Sequence, residues 1–149
     1  LGDHVARAST LHVMEQLLAF AAQHGRRVMV VLSYGTRAAL RACEGAPKLE
    51  ADVALLQWLK ERGVPTFDAL DAHVADFAQF RIPAAAYLKR LYNGHYSPAG
   101  NQFFAFALKR ALVEWLDPKP IAYHGRGTII DFQDGRYLDK APSDVRPGR

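Results

Sequence analysis

Apolar residues recur at intervals of three and four between Asp3 and His24. Leu11, Met14, Leu17, Leu18 and Ala21 fall on one face of an amphipathic helix. Gly25 follows as its stop. Val28–Leu32 is then a short continuous apolar run rich in β-branched residues, the pattern of a strand buried in a parallel sheet. Ser33-Tyr34-Gly35 is its exit loop. Two helical stretches come next, Thr36–Cys43 and Lys48–Arg62, separated by Gly45-Ala46-Pro47. In the second, Leu49, Val53, Leu56 and Leu59 or Lys60 share a face, with Trp58 near its edge. Val64–Phe67 reads as a second short strand with Asp68 at its exit, although Pro65 lacks a ladder donor. Asp68–Phe80 and Pro83–Leu91 read as short helices.

The best-marked element begins at Ser97, an N-cap residue followed by Pro98 at the first helical position. Phe103, Phe104, Ala107, Leu108, Ala111, Leu112 and Trp115 give this helix a broad apolar face, and Asp117-Pro118 stops it. Beyond it the chain turns glycine- and proline-rich. Thr128–Phe132 and Arg136–Leu138, joined by Gln133-Asp134-Gly135, predict a β-hairpin. The organisation expected is an α/β domain over residues 1–117 and a Pro/Gly-rich tail over 118–149.

Helix, strand, helices, strand, helix is the grammar of an α/β sheet covered by helices. Only two parallel strands are present, however, and parallel strands normally sit in larger sheets buried on both faces. The chain also begins with Leu1 rather than methionine. The expectation is therefore the C-terminal part of a larger domain, or a chain whose sheet is completed by a partner.

Composition removes several classes. Half of the 149 residues are hydrophobic, too many for a disordered chain. The single cysteine, Cys43, excludes a disulfide scaffold. No apolar run approaches the roughly 18 residues of a membrane span. The net charge of +4 is spread along the chain, and Arg26-Arg27 and Lys89-Arg90 are only pairs, so no nucleic-acid footprint is expected. The compartment is not decided.

There are six histidines. His24 ends a helix, where a cation suits the dipole. His4, His12 and His73 read as structural residues on helices, and His124 lies in the tail. His95 differs, because it sits in a loop that leads into a helix N-terminus. In an α/β protein such a loop can hold an imidazole at the sheet edge, where ligands bind. Ser33, at a strand end, lacks a Gly-x-Ser-x-Gly elbow and reads as a cap. Cys43 reads as a buried, inert thiol. Asp71, His73, Asp76 and His95 do not make a convincing metal set, and neither metal nor cofactor is expected.

The stretch Asn93-Gly94-His95-Tyr96-Ser97-Pro98-Ala99-Gly100-Asn101, with the helix after it, resembles the last conserved block of the SGNH hydrolases, also called GDSL-type esterases. The upstream order of helix, strand, helices and a strand ending in Asp68 is similar as well. The resemblance implies a three-layer, flavodoxin-like parallel-sheet domain of which this chain is the C-terminal portion. It also implies an activity on acyl or acetyl esters, including esters of carbohydrates. His95 would be the general base, accepting a proton from a serine Oγ and returning it to the leaving alcohol.

Three departures accompany the resemblance. The aspartate that usually precedes the family's histidine is replaced, and Asn93 is the candidate orienter. There is no Gly-Asp-Ser block. The family's oxyanion asparagine is also missing, since Asn93 and Asn101 are the only asparagines. Both absent blocks lie N-terminal to the histidine in the family. The expectation is thus that the serine and oxyanion groups belong to the rest of the domain and that this chain alone is inactive. The alternatives are a catalytically degenerate α/β module for binding or scaffolding, and a subunit that completes its sheet with a partner.

Overall fold

The structure, a computed structural model, describes residues 2–117, with side chains from residue 8 onward. The hairpin expected at Thr128–Leu138 lies outside the described residues. The described chain is mixed α/β and mostly helical, with six helices, a two-stranded parallel sheet and one small antiparallel pair. It divides into two compact units, Leu1–Val30 with Lys48–Thr66, and Val31–Pro47 with the described chain from Phe67.

The first unit contains α1 (Gly2–Gln23) and α3 (Glu50–Glu61). On α1 the covered face is Leu11, Met14, Leu18 and Ala21, a strict three–four repeat. Leu17, expected on that face, is 45% exposed, and Val13 and Phe20 are exposed beside it. On α3 only Leu59 is fully buried, while Val53, and Leu49 just before the helix, remain exposed. The Val30 N–H donates to the Pro65 carbonyl at 2.9 Å, tying the start of β1 (Val30–Leu32) to the residue before β2 (Thr66–Asp68). Pro65 thus supplies the acceptor it still has, just outside the strand it would have weakened.

The second unit holds the main core. Its helices are α2 (Thr36–Cys43), α4 (Ala69–Phe77), α5 (Ala84–Leu91) and α6 (Pro98–Trp115). Helix α2 packs on α4 and α5, and α6 packs on α4 and α5. Ala39, Leu70, Phe80, Tyr87, Leu88, Leu91, Tyr92 and Phe103 form one buried cluster between them. The caps follow the residue chemistry. The Asp68 carboxylate accepts from the Leu70 N–H at 2.8 Å and starts α4, and the Ser97 hydroxyl accepts from the Gly100 N–H at 3.1 Å and starts α6. Toward the end of α6 the buried residue is Val113 rather than Leu112, which is 38% exposed. The apolar stripe of that helix is wider than the face its neighbours cover.

Between α5 and α6 lies an element that the hydrophobic pattern did not predict. Tyr92–Asn93 (β3) pairs antiparallel with His95–Tyr96 (β4), placing Tyr92 opposite Tyr96 and Asn93 opposite His95. The turn is Gly94, at φ 75°, a left-handed conformation that a side chain would strain. Among the described residues, no helix is long and apolar enough to cross a membrane.

Candidate functional site

The hairpin presents two faces, because side chains alternate along each strand and opposed residues share a face. Tyr92 and Tyr96 point inward, with their rings stacked at 4.5 Å. Asn93 and His95 lie together on the opposite, exposed face. The sequence-predicted base and orienter are therefore direct cross-strand neighbours, separated in the chain only by Gly94.

Inward, the hairpin meets the exit of β1. The Tyr92 hydroxyl donates to the Tyr34 carbonyl at 3.1 Å, and the Tyr96 hydroxyl is hydrogen-bonded to the exposed Ser33 side chain. The loop beyond the carboxyl end of a parallel strand and the histidine-bearing hairpin are thus joined at one edge, where α/β proteins place their ligand sites. Behind the tyrosines stands His73 of α4, which is fully buried. Its Nε2 lies 3.0 Å from the hydroxyl oxygens of both Tyr92 and Tyr96. Its ring packs against Phe103 at 4.5 Å and lies parallel to Tyr96 at 6.0 Å.

The proton positions in this cluster follow from donor counting. A phenol has one proton, and Tyr92 directs its proton to the Tyr34 carbonyl. The Tyr92 oxygen can then only accept from His73, so the imidazole carries its hydrogen on Nε2 and shares it between the two phenol oxygens. Nδ1 is left as a buried lone pair with no hydrogen-bond partner. An acceptor left unpaired costs less than an orphaned N–H, so this tautomer is the stable one. Protonation would place an N–H at Nδ1 with nothing to receive it. Accordingly, burial pushes the His73 imidazole down to about 4. Burial also raises both phenols above the ordinary tyrosine range.

Other sequence candidates take structural places. Ser97 caps α6 and donates its own proton to the Arg90 carbonyl at 2.8 Å. Asp68 caps α4. The Cys43 thiol points at the His73 carbonyl, with Sγ 3.9 Å away, and burial together with the nearby Asp76 pushes it up to about 11. Asp76, itself buried, accepts from the Tyr87 hydroxyl at 2.7 Å. Among the described residues, no three His, Cys, Asp or Glu side chains gather as a metal set. His73 was not singled out by sequence reasoning. Its partners lie on a separate element, so no signal along the chain marked it. Compared with family models, with curated proteins and with solved structures, the chain matches none.

Proposed function

We propose that this chain carries the histidine end of an ester-hydrolase site of the SGNH type, within a three-layer, flavodoxin-like parallel-sheet domain. The observation that carries the proposal is the placement of His95. Its imidazole is exposed on a short hairpin, and the reverse face of that hairpin is bonded to Ser33 and Tyr34 at the carboxyl end of β1. A base needs to be accessible to substrate, held in place, and close to the sheet edge where the nucleophile stands.

In this mechanism a serine Oγ attacks the ester carbonyl carbon while His95 accepts the serine proton. The protonated imidazole then donates that proton to the alkoxide as the ester C–O bond breaks. Water attacks the acyl-serine with His95 again as acceptor, releasing the carboxylic acid and restoring the serine. No Gly-Asp-Ser block occurs in the 149 residues, so the serine and the oxyanion donors belong to polypeptide outside them. Substrates are small acyl or acetyl esters, including those of carbohydrates. The Asn93 side-chain carbonyl can accept from His95 across the hairpin and so orient the ring. It supplies no charge to the imidazolium, and losing that charge costs about 10⁴ in a serine-protease triad.

The test is hydrolysis of p-nitrophenyl acetate by the protein in its native, complete form. His95→Ala is expected to lower kcat/KM by about 10² to 10⁴ while leaving folding intact. Undiminished turnover in that variant would overturn the assignment. The neutral Asn93 favours a second reading, a degenerate module that binds and does not turn over. In that case a serine-directed fluorophosphonate fails to label the complete protein.

A further inference from the structure

Given His95 as the proton acceptor, we infer that His73 is a positioning residue for it. Through its shared Nε2–H bonds to Tyr92 and Tyr96, it locks the hairpin so that Asn93 and His95 face outward at the end of β1.

The geometry supports this at each link. The hairpin is two residues per strand, far below the length at which a strand pair holds its own shape in water. Its form therefore depends on its surroundings: Ser97 ties the base of the hairpin to Leu91 and Arg90, and the inward face rests on the buried cluster. That face consists of two phenols, and both reach the same imidazole nitrogen at 3.0 Å. His73 is held in turn by α4, fully buried against Phe103 of α6 and Tyr87 of α5. Three helices thus fix one imidazole, and that imidazole holds the two hydroxyls on the inward side of a hairpin whose register sets Asn93 opposite His95. The outer ends of the same hydroxyl network reach Ser33 and Tyr34. A residue that only filled space would not need a ring nitrogen within 3.0 Å of both hydroxyls.

Variants of the full chain test the inference. His73→Phe keeps an aromatic ring and removes the donor, His73→Gln keeps an N–H donor, and Tyr92→Phe with Tyr96→Phe keeps both rings and removes the acceptors. The readouts are amide hydrogen exchange over residues 92–97 and the His95 imidazole signals in NMR. His73→Phe is expected to speed exchange in that segment on the order of tenfold relative to amides of α2 and α4, and to shift the His95 signals. His73→Gln restores part of both. Where His73→Phe does not fold, the double tyrosine variant decides by the same readouts. Unchanged hairpin exchange and unchanged His95 signals in a folded variant overturn the inference, as does acceleration that is equal throughout the second unit. So does a proton found on Nδ1 of His73 in nitrogen–proton correlation spectra of the unaltered chain.

These readouts need no turnover, so the two proposals fail separately. A loosened hairpin in a protein that hydrolyses no ester sinks the hydrolase assignment alone. Loss of turnover in His95→Ala with an unmoved hairpin in His73→Phe sinks the positioning role alone. Where both hold, His73→Phe lowers kcat with KM nearly unchanged, because the base is displaced and the substrate contacts are not.

Discussion

The Nε2 of His73 and the hydroxyl of Tyr96 meet at 3.0 Å inside the second unit, although one residue rides on α4 and the other on the hairpin. The burial of His73 makes folding sensitive to acid. An imidazole in the unfolded chain titrates near 6.5, whereas burial among Tyr87, Tyr92, Tyr96 and Phe103, with no partner at Nδ1, pushes His73 down to about 4. Above the unfolded value both states are neutral and the contribution of His73 is complete. As pH falls below it, the unfolded chain takes up a proton that the folded chain refuses, and stability drops by about 1.4 kcal/mol per pH unit. Urea unfolding of the wild type and His73→Phe should therefore converge by about 2 kcal/mol between about pH 7 and about pH 5. A gap that does not change with pH would show that His73 is not held neutral.

Gly100 allows α6 to start where it does. A Cβ there would overlap the Leu91 carbonyl oxygen and stand 2.7 Å from Cδ1 of Tyr96. The Leu91 carbonyl cannot retreat readily, because it also accepts from the Ser97 N–H at 2.8 Å. Gly100→Ala should destabilise by roughly 1–3 kcal/mol, although alanine is the better helix former by about 1 kcal/mol. A thermal melt reads the sign directly, and a raised Tm would contradict this packing.

Cys43 should be a slow thiol. With its pKa pushed up to about 11 from 9.0, the thiolate at about pH 8 is about 100-fold scarcer than at an ordinary cysteine. Reaction with a disulfide reagent such as DTNB should be slower by that factor in the folded chain and recover in denaturant. Equal rates in the two states would show that the thiol is not shielded.

His95 and Ser97 are two residues apart and should respond unequally. His95 is exposed, so His95→Ala should change unfolding free energy by no more than about 0.5 kcal/mol. Ser97 both accepts from Gly100 and donates to Arg90, so Ser97→Ala should cost about 1 kcal/mol or more. Chemical denaturation of the two variants side by side checks both figures.

Local chemistry was legible along the chain. The bounds of α2 agree with the expected Thr36–Cys43, and Ser97 with Pro98 marked the start of α6. Those features depend on a residue and its neighbours within one turn, and such signals survive in a linear sequence. The hairpin did not show, because two residues per strand are too few for a period of two to register. Leu17 and Leu112 looked equivalent to their apolar neighbours and are exposed, since periodicity defines a stripe and only packing decides how much of it is covered.

By itself, then, the sequence determined the helices, the Ser97 cap and the exposed histidine segment worth testing. Each is set by short-range sterics and hydrogen bonding. Ser33, read as a cap, instead bonds Tyr96 and leaves the start of α2 to Gly35. Only the tertiary structure decided the role of His73, whose partners lie 19 and 23 residues further along the chain. An imidazole acquires its tautomer, its depressed basicity and its two phenol contacts only after α4, α6 and the hairpin close around it and exclude water. That exclusion depends on all three elements at once.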